Sequence, residues 1–194
     1  MKYSPTLAIL LVLAVLPACS QSVDFDVRVS EAFAWHEILS GQLPEDATVV
    51  EVPGGVELSF SLGQVIDLDE LNEALSGVLQ DGGIQLLAAS YQVPENSSSH
   101  GIPSFRVSIA EGRTDHLEET RLLARLPSIP PGESDVDVPL PWAPDGRESL
   151  EHAMQSDEFS YFISGTVFLP EGSPVPTGEV VLDLLVTGRS MINF

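Results

Sequence analysis

Hydrophobic and polar residues alternate with a period of two along several stretches of this chain, which is the pattern of half-buried β-strands. The alternation predicts strands at residues 24–29, 56–62, 104–109 and 135–138. Denser apolar runs predict more deeply buried strands at residues 84–93, 159–169 and 179–187. Gly and Pro residues separate these segments and predict turns between them. Residues 42–53 form either a loop or a weak edge strand at 47–52.

Two short helices are predicted between the strands. In the first, Asp67 is placed as the N-cap with Glu70 three positions later, in the manner of a capping box, and an apolar face follows at Leu68, Leu71, Leu75 and Val78. In the second, Asp145 and Glu148 precede Leu150, Ala153 and Met154. Both helices are too short to be stable alone, so each is expected to lie against a sheet. The chain is therefore predicted to be mostly β, a single β-sandwich of seven or eight strands with two short helices.

The strand alternation also predicts which side chains fill the core. On the apolar side of the alternating strands lie Phe60, Phe105, Val107, Val136, Val167 and Leu184. Gly165 falls inside a predicted central strand, where a glycine indicates a bulge or close packing of the backbone.

The first nineteen residues have a different pattern. Met1 and Lys2 form a short basic start, residues 7–16 are an unbroken apolar run, and Ala18 precedes Cys19, the single cysteine. This layout is typical of a secretory signal peptide. With the lipobox Leu16-Pro17-Ala18-Cys19, it resembles the signal of bacterial lipoproteins.

The lipoprotein resemblance implies a division of the chain. Residues 1–18 would be the signal peptide, 19–24 the lipidated N-terminus and tether, and 25–194 the β-sandwich domain. Cys19 would carry a diacylglyceryl group on its sulfur and an acyl chain such as palmitate on its amine, which together anchor a protein stably. Ser20, in place of an aspartate after the cysteine, implies the outer membrane.

Two alternatives to lipidation remain open at the sequence level. Ten apolar residues give a helix of about 15 Å, whereas crossing a bilayer core takes about 20 residues, so a permanent transmembrane helix is disfavoured. Plain secretion would leave Cys19 as an unpaired thiol, because the chain has a single cysteine.

The charge of the chain limits its partners. The formal net charge is −21, and loss of Lys2 with the signal would leave seven arginines against 29 acidic residues. Nucleic acid is excluded as a partner, because such binding depends on cations facing phosphates. The acidic surface keeps an exported domain soluble or reflects a salty habitat, and it would be repelled by an anionic bilayer. Membrane contact is therefore expected through the lipid anchor.

Motifs for chemistry are lacking in the sequence. The histidines are too dispersed for a zinc site with short ligand spacing: His36, His100, His116 and His152. The acidic clusters at 67–70 and 135–137 lack the central glycine of a calcium loop, although a loop site built from distant segments stays open. Neither a G-x-S-x-G motif nor a Gly-rich phosphate loop occurs. We therefore predict no catalytic residue, metal or cofactor.

A second resemblance concerns residues 127–169. The turn Ile129-Pro130-Pro131-Gly132 is followed by a predicted strand, a helix, and a strand containing Tyr161, Gly165 and Val167. This order is similar to the second half of WHy-type domains of late-embryogenesis-abundant proteins. The resemblance implies a small β-sandwich of a kind linked to desiccation stress, and as a likeness of fold it assigns no function.

These patterns lead to three functional hypotheses. The first is a lipid-anchored envelope protein whose β-sandwich is a non-catalytic structural or protein-binding module, with another envelope protein as partner. The second is a carrier of a small apolar ligand between the sheets, which would need a cavity of several hundred Å³. The third is a hydrolase without a recognisable motif, which would need a cleft that gathers histidine, serine and acid from distant segments.

Overall fold

The computed structural model describes residues 8–12, 21–39, 48–68, 84–134, 138–156 and 158–192. These ranges contain two α-helices, α1 (Trp35–Leu39) and α2 (Gly146–Ala153), and a 3₁₀ turn at Leu117–Glu119. The strands are β1 (Ala8–Val12), β2 (Gln21–Ala34), β3 (Thr48–Val52), β4 (Gly55–Asp67), β5 (Ile84–Asn96), β6 (Phe105–Glu111), β7 (Arg121–Leu126), β8 (Val138–Pro139), β9 (Glu158–Pro170) and β10 (Glu179–Ile192).

The strands form two antiparallel sheets of five strands each. The first sheet has the order β1-β2-β10-β5-β8 and the second has the order β3-β4-β9-β6-β7. In the first, β2 and β10 pair continuously from Gln21 opposite Ile192 to Ala34 opposite Glu179. In the second, β4 and β9 pair from Gly55 opposite Pro170 to Asp67 opposite Glu158. The predicted mostly-β architecture is confirmed, with the two sheets packed as a β-sandwich.

Aromatic side chains from both sheets meet in the core. The ring of Phe33 on β2 lies 5.7 Å from that of Phe60 on β4 and 5.5 Å from that of Phe105 on β6. A Cβ added at Gly165 would approach the Phe60 ring to 3.0 Å, so this glycine lets the backbone pack closely, as predicted. Of the residues predicted to face inward, five are buried: Phe60, Phe105, Val107, Val167 and Leu184. The sixth, Val136, lies outside the described residues.

Most strand predictions are confirmed, and the weak edge strand exists as β3. The strand expected at 135–138 is described only as β8, because residues 135–137 lie outside the described ranges. The sequence reading missed β7, which runs Arg-Leu-Leu-Ala-Arg-Leu. Those residue types favour helices in isolation, and pairing with β6 overrides that preference. With β7, and with β1 in the predicted signal peptide, the described chain has ten strands, compared with the seven or eight predicted.

The helix predictions have mixed outcomes. The helix predicted after Asp67 falls largely outside the described residues, and Asp67 itself ends β4. Helix α2 begins directly after Asp145, as predicted, but the predicted side-chain cap is wrong. Asp145 has a φ of 62° and makes no capping hydrogen bond. An N-cap residue normally has an extended backbone, which the left-handed Asp145 lacks. This conformation belongs to the preceding turn, where the N–H of Gly146 bonds to the carbonyl of Ala143 at 3.0 Å. Helix α1 was not predicted.

The N-terminal strands bear on the predicted anchor. β2 begins at Gln21, four residues before the predicted start of the domain at Phe25. β1 lies within the predicted signal peptide and pairs with β2 at the sheet edge, from Ala8 opposite Arg28 to Val12 opposite Asp24. Neither described helix is long and apolar enough to cross a bilayer.

Candidate functional site

A row of polar residues crosses the outer face of the second sheet. Ser61 on β4 lies opposite Ser164 on β9, which in turn lies opposite Arg106 on β6. Arg106 lies opposite Arg125 on β7. Directly paired residues project to the same face of a sheet. Because Phe105, the neighbour of Arg106, is fully buried in the core, this row faces away from the core.

A second row of hydroxyl groups runs beside the first. Ser59 on β4 and Thr166 on β9 are paired, and their side-chain oxygens are 3.0 Å apart in a hydrogen bond. Ser104, just before β6, lies along the same groove. The two rows together form a floor that is rich in hydroxyl groups and carries two guanidinium groups.

The segment 112–120 forms a wall over this floor. The buried hydroxyl of Ser160, on the outer face of β9, donates to the carbonyl of Gly112 at 2.9 Å and accepts from the N–H of Thr114 at 2.8 Å. Thr114 also donates to Glu119, at 2.6 Å. These bonds fix the segment so that its middle lines one side of the floor, through Asp115, His116, Leu117 and Glu118. The resulting groove has a volume of about 660 Å³.

The two arginines of the groove are not neutralised by the described residues. Both side chains are exposed, and neither guanidinium group makes an ion pair or hydrogen bond within those ranges. By contrast, the ion pairs of the described chain use four of the other arginines: Arg28, Arg113, Arg147 and Arg189. Like charges placed directly opposite each other in a sheet destabilise it. This chain has 29 acidic residues, so leaving two facing cations unpaired is a notable departure from its general charge pattern.

The groove floor also contains a buried polar atom without a partner. Ser61 is 7% exposed, and its Oγ makes no hydrogen bond within the described residues. An unsatisfied buried hydroxyl costs about 1–3 kcal/mol. Ser164, its direct partner across the strands, is similarly buried at 8% exposure. The floor therefore holds hydrogen-bonding capacity that the described chain does not use.

A second polar cluster lies between the sheets and links them. Glu31 on β2 accepts hydrogen bonds from Tyr161 on β9 and Gln64 on β4. Burial raises the pKa of the Glu31 carboxyl, and the two hydrogen bonds offset part of that rise. Burial, followed by the nearby Glu31 charge, raises the pKa of the Tyr161 phenol far above its ordinary value. Because both partners contact each other inside the sandwich, this cluster acts as a structural link.

Between the described parts of the two sheets, side chains fill most of the interior. A void lined by residues such as Val27, Val107 and Leu184 has a volume of about 40 Å³. Pockets for small organic ligands measure about 300–1,000 Å³. The void is therefore too small for the apolar ligand of the carrier hypothesis.

The groove does gather serine, histidine and acid, the residue types named for the hydrolase hypothesis. Nε2 of His116 lies 3.4 Å from Oδ1 of Asp115, and both side chains are largely exposed. Within the described ranges, no hydrogen bond joins His116 to a serine of the groove. Activation of a serine nucleophile requires such a bond, at about 2.6–3.2 Å. The described geometry therefore does not assemble a nucleophile with its base.

The other candidates from the sequence lie apart from the groove. Cys19 and the acidic clusters at 69–70 and 135–137 lie outside the described residues. His100 packs beside Trp35 with ring centroids 6.4 Å apart, while His36 and His152 are exposed on helices. In the part of the chain that the structure describes, no group of three or more His, Cys, Asp and Glu residues is placed to hold a metal ion.

The groove residues were missed by sequence reasoning. The alternation at 104–109 was sufficient to place Arg106 on the solvent face. Its pairing with Arg125 depends on β7 and on the strand register, which no local pattern reveals.

No protein-family model matches the chain, and no curated protein matches it.

Proposed function

We propose that this protein is an exported lipoprotein, anchored in the bacterial outer membrane through Cys19, whose β-sandwich binds another envelope component without catalysis. The anchor rests on the signal-like pattern of residues 1–19. The binding role rests on two features of the domain. Side chains pack the space between the sheets, and the outer face of the second sheet carries the groove.

The observation that carries the binding role is the filled interior. The void between the sheets measures about 40 Å³, whereas the groove on the outer face of the second sheet measures about 660 Å³. A domain whose interior is packed binds a partner through its surface. This supports a surface-binding module over a carrier of an apolar ligand.

Exposed apolar side chains next to the edge strand β3 support a protein as partner. Val49 and Val50 on β3 are 62% and 53% exposed, and Phe168 on β9 is 48% exposed. Val50 and Phe168 flank Glu57 in one cross-strand row, so they share a face. Exposed apolar residues that share one face, as Val50 and Phe168 do, are found at interaction surfaces.

The proposed cleavage is compatible with the sheet that would remain. Cutting before Cys19 removes β1, which lies at the edge of the first sheet. β2 would stay paired with β10 along its whole length, from Gln21 to Ala34. The domain therefore keeps its central strand pairs after processing.

Metabolic labelling tests the anchor directly. The full chain is expressed in a Gram-negative host grown with labelled palmitate, beside the Cys19→Ala variant. We expect label in the parent, none in the variant, and co-fractionation of the parent with outer membranes. Equal labelling of both proteins, or a soluble parent, would contradict the proposal.

Organic extraction tests the filled interior. The purified chain is extracted with chloroform and methanol, and the extract is examined by mass spectrometry. We expect no stoichiometric apolar compound in the extract, because acyl chains attached covalently at Cys19 stay on the protein. A bound lipid at one equivalent per chain would favour the carrier hypothesis instead.

A further inference from the structure

We propose that the groove on the outer face of the second sheet binds a ligand through an oxyanion, a carboxylate or a phosphate, held between Arg106 and Arg125. This inference names the site and the ligand chemistry of the surface-binding role, and it rests on that proposed function. It concerns the β-sandwich alone and does not require the lipid anchor.

The first argument is the placement of the two guanidinium groups. Arg106 and Arg125 are directly opposite each other on neighbouring strands. At such positions the Cβ atoms are about 4.5–5.5 Å apart, so both side chains can reach one anion. Guanidinium groups bind carboxylate and phosphate through paired charge-assisted hydrogen bonds. A bound oxyanion would also remove the repulsion between the two cations.

The second argument is independent and comes from the floor. The buried hydroxyl of Ser61 lacks a hydrogen-bond partner within the described chain, and it belongs to the same cross-strand row as the two arginines. Ser164 lies between Ser61 and Arg106 in that row. Rotation of the Ser61 side chain about χ1 would offer its hydroxyl to a ligand in the groove.

Acidic residues beside the groove limit how an anion can be attracted to it. Asp115 and Glu118 line the wall beside the exposed ring of His116, and the whole chain has a formal net charge of −21. Long-range attraction of an anion is therefore absent, and binding must come from direct contact with both guanidinium groups. Screening over about 8 Å at physiological salt reduces the influence of more distant acids.

The size of the groove adds a further condition. A volume of about 660 Å³ exceeds that of an inorganic anion. The rest of the ligand would lie over Ser59, Ser104 and Thr166, whose side chains donate and accept hydrogen bonds. The geometry thus fits an oxyanion on a polar, hydroxyl-bearing body rather than on an apolar one.

Calorimetric titration of the full chain tests the site, with three probes used separately: inorganic phosphate, glutarate and galacturonate. We expect phosphate or a carboxylate to bind with a millimolar Kd. Comparison of the three titrations shows which oxyanion is preferred. Galacturonate should bind more tightly than glutarate if the hydroxyl-rich floor takes part. No binding of any probe at 50 mM, a concentration of roughly ten times the expected Kd, would overturn the proposal.

Charge-matched variants separate the site from general electrostatics. Arg106→Gln and Arg125→Gln should each weaken binding at least about fivefold, since each removes a charge-assisted hydrogen bond. Arg121→Gln loses the same charge, but it alters an exposed arginine at the start of β7 that does not line the groove, so its affinity should stay unchanged. Glu118→Gln should tighten binding. An equal loss in Arg121→Gln would show nonspecific attraction and overturn the proposal.

Thermal melting of the same variants distinguishes binding from structure. Arg125→Gln should melt at or above the temperature of the parent without ligand, because it relieves a like-charge pair. A lower melting temperature would mean that Arg125 supports the fold, which would contradict the assignment. Palmitate labelling is unaffected by these variants, so failure of the anion site and failure of the lipid anchor are separate results.

Discussion

The phenol of Tyr161, on the second sheet, donates a hydrogen bond to the carboxylate of Glu31, on the first. Gln64, the direct strand partner of Tyr161, bonds to the same carboxylate. Between them these contacts place a polar link in a core that is otherwise dominated by apolar side chains. A partly buried acid at that position makes stability depend on pH.

Glu31→Gln should reduce the pH dependence of stability. Because the pKa of Glu31 is raised on folding, the folded state binds its proton more tightly than the unfolded state. The stabilising contribution of Glu31 is then complete below its ordinary pKa of 4.5 and is lost as pH rises through the higher folded-state value. We expect the variant to gain stability relative to the parent between pH 4 and pH 7. Urea unfolding across that range measures the free energy of unfolding of both proteins. The same change with pH in the parent and the variant would contradict the prediction.

Tyr161→Phe should destabilise the protein at neutral pH. The substitution keeps the ring but removes the hydroxyl donor, leaving a partly buried carboxylate with one fewer hydrogen bond. The expected loss is about 1–3 kcal/mol. In the double variant with Glu31→Gln the loss should be smaller, because the charge is gone. Additive effects in such a double-mutant cycle would argue against a direct interaction.

Phe105→Ala should cost about 3–5 kcal/mol of unfolding free energy. Phe105 is fully buried and contacts the rings of Phe33 and Phe60. The matched control is Phe168→Ala on the same sheet, where the ring is 48% exposed and the loss should be within about 0.5 kcal/mol. Chemical denaturation of both variants gives the comparison. Similar losses would mean that the strand register is wrong.

Arg189→Gln should raise the pKa of Asp24. In the parent, Arg189 forms two hydrogen bonds to Asp24, at 2.5 and 2.9 Å, and these bonds followed by its charge hold the pKa of that carboxyl below its ordinary value. The stability linked to Asp24 is therefore present above its ordinary pKa and lost as pH falls through the lower one. NMR titration of the Asp24 carboxyl carbon measures the change. An unaltered titration would show that the ion pair does not persist in solution.

The β-sandwich could be predicted from the sequence because its central strands alternate over long stretches. The local pattern that placed Phe60 and Phe105 inward depends on neighbouring residues alone. β7 could not be predicted, since Leu122, Leu123 and Ala124 interrupt the alternation and its strand form comes from pairing with β6. The cap at Asp145 failed for a similar reason, because its backbone conformation is set by the turn that precedes it.

The candidate site was even less accessible to sequence reasoning. Arg106 and Arg125 are separated by nineteen positions, and the wall comes from the segment between them. Ser61 lies on another strand, far earlier in the chain. Only the register of β4, β9, β6 and β7 brings these side chains into one row, and that register depends on contacts across the whole sheet.

The start of β2 at Gln21 has a consequence for orientation at the membrane. Lipidation of Cys19 would leave Ser20 as the single residue between the anchor and the folded strand. From Gln21, β2 extends to Phe33, which packs against Phe60 and Phe105 at the level of the groove. Twelve residues of strand span about 40 Å. The groove would then lie about 40 Å along the sheet from the anchored end, far enough to reach molecules that do not lie in the membrane.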